Sequence, residues 1–98
     1  MTELKGKQVR FLRGLGHHLQ PIVMLGKDEL SEQVVSATDA ALEKHELIKV
    51  RLQEGCMLDR KEAAAELARL TSSAVAQILG KTFLLYRRGK KPEIKLPS

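Results

Sequence analysis

A short turn, Gly26-Lys27, lies between an apolar run and the start of a predicted helix, and its residues are suited to binding an anion. The run Ile22–Leu25 has the composition of a buried strand, and Ser31 has a side chain suited to a helix N-cap. Such a turn exposes backbone N–H groups at the positive end of a helix dipole, beside the Lys27 ammonium. These groups attract phosphate, although an ordinary strand-to-helix turn with a surface lysine has the same pattern. The function of the turn therefore depends on the elements around it.

The charge of the chain is segregated along its length. The net charge is +5, from 17 Lys or Arg and 12 Asp or Glu. Residues 1–27 contain five Lys or Arg and one Glu, residues 28–46 contain one Lys and six acids, and residues 73–98 contain six Lys or Arg and one Glu. If the fold brings the two ends together, they form a basic face suited to a polyanion. The alternative is that the basic ends only keep the chain in solution.

The first predicted helix is amphipathic and runs from an N-cap at Thr2 to about Leu15 or Leu19. Its predicted buried stripe consists of Leu4, Phe11, Leu12, Leu15 and Leu19. Its basic side carries Arg10, Arg13 and His17, with Lys7 near the edge. Because the helix is short and lacks Trp, we expect this side to face nucleic acid or solvent rather than a membrane surface.

Six further elements follow from hydrophobic periodicity, caps and turns. Their predicted bounds are strand 22–25, helix 31–44, strand 47–52, helix 59–71, strand 74–79 and strand 82–87. The order α-β-α-β-α-β-β gives two helical crossovers between parallel strands and then a hairpin through Gly80-Lys81. The sequence therefore predicts an α/β two-layer sandwich, in which three helices accompany a mixed four-stranded sheet. We expect one domain over residues 1–98, ending in a basic tail at 89–98.

Two groups of charges have more than one explanation. Lys49 and Arg51 lie on one face of the alternating strand LIKVRL. They suit phosphate contacts, and an edge strand that carries charge against aggregation explains them equally well. The acids of the second helix, Glu32, Asp39 and Glu43, are expected to face solvent, away from any polyanion.

Several classes of protein are disfavoured. No apolar run approaches the ~20 residues that cross a bilayer, and we expect no signal peptide. The lone Cys56 fits a reducing compartment, so we expect a cytoplasmic protein. His17 and His18 are adjacent and cannot share a metal as an i, i+4 pair could, and no nucleophile or nucleotide-binding fingerprint occurs. We therefore predict no enzyme, no cofactor and no metal site.

Four segments in order carry a resemblance to a known family. They are LRGLGHHLQPIVMLGK, ALEKHELIKVRL, ILGKTFLLYRR and a tail with IKLP, and together they span essentially the whole chain. The chain resembles the CRM domain (chloroplast RNA splicing and ribosome maturation), in particular the stand-alone bacterial YhbY family. The resemblance implies a fold similar to the C-terminal domain of bacterial translation initiation factor three. It also implies RNA binding, with bacterial members associating with precursors of the large ribosomal subunit.

The family's signature is a G-x-x-G loop after the first strand, analogous to the backbone-clamping loop of KH domains. Gly26 matches the first glycine and Lys27 the basic residue inside the loop, but Glu29 stands where the second glycine is expected. A carboxylate there hinders close approach of a phosphate and repels it, although an acid near a helix N-terminus also favours the dipole. The resemblance therefore implies an RNA-binding loop that is weakened in this chain.

Together, charge and resemblance predict a set of phosphate-contacting residues for RNA in precursor large subunits. The set is Gly26, Lys27, Lys81, Arg10, Arg13, Lys7, Lys49, Arg51, Arg87 and Arg88, with Lys90 and Lys91 beyond. Since no aromatic platform is evident, we expect recognition of structured RNA by shape. The alternatives are a module that docks a ribosomal protein or assembly factor, and an enzyme acting on a phosphorylated ligand at the Gly26 turn.

Overall fold

The computed structural model describes residues 4–98, in which three helices and four strands follow the predicted order. The helices are α1 (Gly6–Gly16), α2 (Glu32–His45) and α3 (Arg60–Thr71). The strands are β1 (Pro21–Leu25), β2 (Leu47–Leu52), β3 (Ala74–Leu79) and β4 (Thr82–Tyr86). The predicted α/β class, with three helices and a mixed four-stranded sheet, is confirmed. The predicted cap at Thr2 lies outside the described residues.

The predicted caps fix where α2 and α3 begin. Ser31 accepts a hydrogen bond from the Val34 N–H at 3.3 Å, so this residue is the N-cap of α2. Asp59 accepts from the N–H groups of Lys61 and Glu62, at 3.0 and 3.4 Å, and caps α3 in the same way. Both helices therefore start at the positions that their capping residues predict, within one residue.

The sheet has the strand order β1-β2-β4-β3. β1 and β2 are parallel, and β4 is antiparallel to both β2 and β3. Gly80 has a φ of 59°, which glycine adopts without strain, and it turns β3 into β4. The carboxyl ends of β1 and β2 therefore lie at the same end of the sheet as this hairpin turn. We call residues 26–31, 53–59 and 80–81 the loop end.

Helices cover both faces of the sheet. Both crossovers, β1-α2-β2 and β2-α3-β3, progress in one direction across the sheet, so right-handed connections place α2 and α3 on one face. The core under them includes Leu25, Ile48, Val50, Phe83 and Leu85. The first helix is not part of a crossover, and α1 packs on the opposite face, across β2, β4 and β3. There it covers Leu47, Ala76, Leu84 and Tyr86. The two-layer sandwich thus consists of the sheet with α2 and α3, and α1 adds a cover on the other side.

The buried stripe of α1 differs from the prediction. Leu12 is fully buried, but Phe11 and Leu15 are each 40% exposed. The reason is Gly16, which brings the α1 backbone so close to the sheet that an added Cβ would overlap the Leu84 side chain. Because α1 rests on Leu12 and Gly16, the helix is rotated away from the predicted stripe, and Phe11 and Leu15 flank the contact instead of filling it.

Candidate nucleic-acid interface

The Gly26 turn has the predicted position between β1 and α2. The Glu29 N–H donates to the Gly26 carbonyl at 3.0 Å, which closes a four-residue turn. Lys27 and Asp28 at its tip are exposed. The turn therefore offers one cation and one acid to solvent, just before the N-terminus of α2.

Glu29 has a backbone conformation that is typical of glycine, and its carboxylate is hydrogen-bonded. Its φ is 51°, in the left-handed region that favours glycine. Its carboxylate accepts a hydrogen bond from the Met57 N–H at 3.2 Å, which ties the turn to the loop before α3. The backbone at this position thus has a conformation that glycine adopts without strain, and the carboxylate is hydrogen-bonded to the neighbouring loop.

Lys81 lies at the same end of the sheet as Lys27. The Leu52 N–H donates to the Lys81 carbonyl at 2.7 Å, and the Arg60 guanidinium donates to the Gly80 carbonyl at 3.0 Å. Both lysine side chains are exposed. The loop end also contains four acids, Asp28, Glu29, Glu54 and Asp59. Its two lysines therefore lie in surroundings of mixed charge.

A second cationic region lies between α1 and the sheet, and we call it the basic groove. Its α1 wall consists of Arg10, Arg13, Gly14 and His17, which share one flank because they are spaced by three or four residues. Its sheet wall consists of Lys49, Gln77, Leu79, Thr82, Phe83 and Leu84. Among residues 4–98, this lining contains no acidic side chain. The groove therefore concentrates positive charge without compensation.

The basic groove opens towards the loop end. Lys49 is paired with Leu84 across the β2–β4 ladder, and Arg51 is paired with Thr82. Thr82 directly follows Lys81 in the chain, so Arg51 lies between the groove and the hairpin turn. Three predicted residues, Arg10, Arg13 and Lys49, therefore line one groove. Arg51 and Lys81 follow along β2 and the hairpin turn, and Lys27 lies on the loop between β1 and α2.

The Arg87 guanidinium makes hydrogen bonds and ion pairs within the fold. Its guanidinium donates to the Asp39 carboxylate at 2.6 Å and the Glu43 carboxylate at 3.1 Å. It also donates to the carbonyls of Thr71 and Asp39, at 2.8 and 3.0 Å. The side chain is only 19% exposed. Arg87 therefore ties the end of β4 to α2 and α3, and the two α2 acids hold it in place.

Lys7 and Arg88 lie apart from the groove lining. Lys7 is exposed on α1. Arg88 lines a separate cavity together with Lys5, Tyr86 and the tail residues 92 and 94–98. The Gln8 side-chain amide donates to the Pro97 carbonyl at 3.1 Å, so the tail returns to the start of α1. The two basic ends of the chain thus meet, on the flank of α1 that faces away from the groove.

Glu46 holds the tail and was not singled out by the sequence. This buried residue has a φ of 64°, and its carboxylate accepts from the N–H groups of Gly89, Glu93 and Ile94 at 2.8, 2.7 and 3.0 Å. Burial raises the pKa of Glu46, but the combined effect of these three donors and the nearby Arg88 is larger, so the pKa lies below the ordinary 4.5. The charged Glu46 carboxylate therefore binds three backbone N–H groups of the tail.

Residues 4–98 lack two kinds of structural feature. No cluster of three or more His, Cys, Asp or Glu side chains there is arranged to hold a metal ion. None of the helices described in that range has the length and apolar character needed to cross a bilayer.

Comparison with known proteins places the chain in a family. The profile of the CRS1/YhbY (CRM) domain matches residues 4–87. The chain is 40% identical over 97 residues to an RNA-binding protein of Haemophilus influenzae, covering 99% of this chain and 98% of that protein. It is 39% identical over 95 residues to the Bacillus subtilis protein named probable RNA-binding protein YqeI, covering 96% of this chain and 99% of YqeI.

A solved structure supports the same assignment. The solution structure of the Staphylococcus aureus protein SAV1595 matches with a TM-score of 0.82 and 39% identity, covering 97% of this chain and 100% of that one. The likeness in sequence and in fold thus extends over nearly the full length of both chains. The chain belongs to the CRS1/YhbY (CRM) domain family.

Proposed function

We propose that this protein is a non-catalytic RNA-binding domain that acts in the cytoplasm on precursors of the large ribosomal subunit. The observation that carries RNA binding is the basic groove, whose described lining holds Arg10, Arg13 and Lys49 and no acid. The names of the relatives from H. influenzae and B. subtilis support the same partner. In this proposal residues 1–98 act as one domain, and the assembly role follows from the family resemblance.

Binding in the groove is dominated by phosphate contacts. Guanidinium groups pair with phosphate oxygens through two parallel hydrogen bonds, and Lys49 adds a point charge. Of the three aromatic residues, Phe83 and Tyr86 are buried, and Phe11 lies on the flank of α1 outside the groove lining. Without an aromatic platform the groove favours paired RNA, which presents a regular array of phosphates and is recognised by shape.

The loop end supplies a weaker, adjoining contact. Lys27 and Lys81 each add one cation, and the backbone N–H groups after Gly26 lie near the positive end of the α2 dipole. The acids at this end reduce the attraction. We therefore assign the principal affinity to the groove and a guiding role to the loop end.

The test is RNA binding measured by fluorescence anisotropy over a range of salt concentrations. A fragment of large-subunit ribosomal RNA is compared with an unrelated RNA of equal length. We expect the wild-type protein to bind the ribosomal fragment more tightly near 0.15 M salt. In variants, the magnitude of the slope of log K against log salt should decrease by roughly one unit for each phosphate-contacting cation removed.

The outcomes separate the proposal from its rivals. Absence of binding to either RNA contradicts RNA binding. Equal binding of both RNAs that collapses as salt rises contradicts the assembly role and favours a module that docks a ribosomal protein or assembly factor. Turnover of a nucleotide or phosphoester contradicts the non-catalytic assignment.

A further inference from the structure

Two large apolar side chains are exposed beside the basic groove. Ile22 and Met24, on β1, are 51% and 41% exposed. Their neighbours Val23 and Leu25 enter the core under α2 and α3, so strand alternation places Ile22 and Met24 on the opposite face of the sheet. That is the face on which α1 packs across β2, β4 and β3. As the edge strand beside β2, β1 extends beyond the strands that α1 covers.

The pairing of β1 with β2 places these apolar groups next to cations. Pro21 is opposite Lys49, Met24 is opposite Arg51, and Ile22 is the additional residue where the register shifts. Lys49 also lines the basic groove. The apolar surface is therefore continuous with the groove, and we call Ile22 and Met24 the β1 patch.

The charge around the β1 patch selects among possible occupants. If two copies of this chain paired symmetrically through this patch, Lys49 and Arg51 of one copy would approach Lys49 and Arg51 of the other, and their repulsion is unfavourable. A polyanion is attracted, and among polyanions RNA also has flat apolar groups, the faces of its bases. In a duplex these faces are stacked against one another, so only unpaired bases can cover the patch.

We propose, on the basis of the proposed function, that the β1 patch receives the bases of one or two unpaired nucleotides adjoining a paired RNA segment. The phosphates of the paired segment lie along the basic groove, and Arg51 and Lys49 hold the phosphates of the unpaired nucleotides. Residues two apart on a strand are about 6.6 Å apart along it, and stacked bases are about 3.4 Å apart, so the patch accommodates about two bases. The preferred RNA is thus a bulge, or the junction between a helix and a single strand.

The test compares two RNA hairpins with the same number of phosphates, one fully paired and one with a two-nucleotide bulge. Contact of a base with an aliphatic side chain is weaker than stacking on an aromatic ring. We therefore expect the wild-type protein to bind the bulged hairpin roughly fivefold more tightly. Ile22→Ser and Met24→Ser should each reduce this preference to within about twofold and leave affinity for the paired hairpin unchanged.

Leu70→Ser is the matched control. Leu70 is 42% exposed, close to the value for Met24, but it lies on α3, on the other face of the sheet. It should leave the preference for the bulged hairpin unaltered. Because all three positions are exposed, the variants are expected to fold, and thermal unfolding verifies this for each one.

Salt dependence separates the two parts of the site. The apolar contact with the β1 patch releases no counterions, so the part of the preference that Ile22→Ser removes should persist as salt rises. The phosphate contacts of Arg51 and Lys49 with the unpaired nucleotides should make the slope of log K against log salt steeper for the bulged hairpin by at most about two units. Equal affinity for the two hairpins overturns this inference and leaves RNA binding intact. Absence of binding to both overturns the proposed function itself. A dimer of the free protein that Ile22→Ser dissociates would assign the patch to a second copy and overturn the inference too.

Discussion

The basic groove and the loop end are two cationic regions that differ in what surrounds their charges. In the groove, Arg10, Arg13 and Lys49 meet no acid among the described lining residues. At the loop end, Lys27 and Lys81 lie among four acids. The loop end matches the family's signature loop more directly, yet the groove has the stronger uncompensated field. A sequence signature can therefore coincide with a region whose net positive charge is low, and we expect the local balance of charge to determine how much RNA affinity each region supplies.

The two regions also depend on different parts of the fold. The groove exists only while α1 is docked on the sheet through Leu12 and Gly16. The loop end is built from the ends of β1 and β2, the β3–β4 hairpin and the caps of α2 and α3. Each region can therefore be weakened while the other is left in place.

The largest expected effect comes from Gly16→Ala, which disturbs the groove alone. The new methyl group overlaps the buried Leu84 side chain, so the variant should lose about 2 kcal/mol of unfolding free energy and bind RNA more weakly. Gly14→Ala is the control, because no atom lies within 4 Å of a Cβ added at Gly14. It should stabilise α1 by ~0.5–1 kcal/mol, since alanine has the higher helix propensity. Urea unfolding measures both, and equal stability of the two variants would contradict close docking at Gly16.

Next in size is Glu46→Gln, which loosens the tail on the far flank of α1. Replacing a charged acceptor of three N–H groups should cost about 2 kcal/mol at neutral pH. Glu93→Gln is the control, because Glu93 is exposed and contributes only its backbone N–H to this contact. Because the tail contacts α1, Glu46→Gln should also weaken RNA binding through the basic groove. The loss of affinity caused by Lys27→Ala should be the same in the wild type and in Glu46→Gln.

The same residue gives a pH dependence with a definite sign. The pKa of Glu46 is lower in the folded protein than its ordinary 4.5, so its contribution is fully present above pH 4.5 and is lost as pH falls through the lower folded value. The stability difference between the wild type and Glu46→Gln should therefore be constant from about pH 6 to 8 and shrink in acid. A difference that grows below pH 4.5 would contradict a stabilising carboxylate.

Two double variants, each lacking two cations of one region, compare the contributions of the basic groove and the loop end to RNA affinity. Arg13→Ala with Lys49→Ala should weaken RNA binding roughly tenfold near 0.15 M salt and reduce the salt slope by about two units. Lys27→Ala with Lys81→Ala should reduce affinity only about threefold, because neighbouring acids already offset part of their field. Anisotropy titrations measure both pairs. A larger loss from the loop pair would reverse the assignment of principal affinity, and unchanged affinity in both pairs would refute the proposed surface.

Local signals in the sequence predict most of the fold. Ser31, Asp59 and Gly80 fix two helix starts and a hairpin, because a cap or a turn involves residues only a few positions apart. Local patterns also predict the position of the Gly26 turn, and they select Arg10, Arg13 and Lys49, which line one groove, as candidate phosphate contacts. The amphipathic pattern of α1 predicts a helix, but it does not reveal which face of the sheet the helix covers.

The parts that sequence does not predict depend on distant residues. Local propensity assigns Gly16 only a weakening effect on the helix, whereas its close approach to Leu84 depends on the docking of α1. In the sequence Arg87 is only a cation at the end of the last predicted strand, and the packing of α2 beside β4 is what brings Asp39 and Glu43 to it. Glu46 lies 43 to 48 residues from the N–H groups that it binds. No local pattern contains these pairings, so the fold is needed to separate cations with structural partners from those proposed to contact RNA.

Glu29→Gly tests the loop end by itself and should have little effect on stability. Glu29→Gly removes one of its four acids and places glycine at a φ of 51°, where glycine is unstrained. It also removes the hydrogen bond from the Met57 N–H, so the net change in stability should be within about 1 kcal/mol. We expect RNA affinity to rise about threefold, because a phosphate can then approach the turn more closely. Glu29→Gln separates charge from shape, since its amide oxygen can still accept from Met57. If both variants gain equally, charge alone weakens the loop; if only Glu29→Gly gains, the side chain blocks the phosphate; and if neither gains, the loop end makes no close contact with RNA.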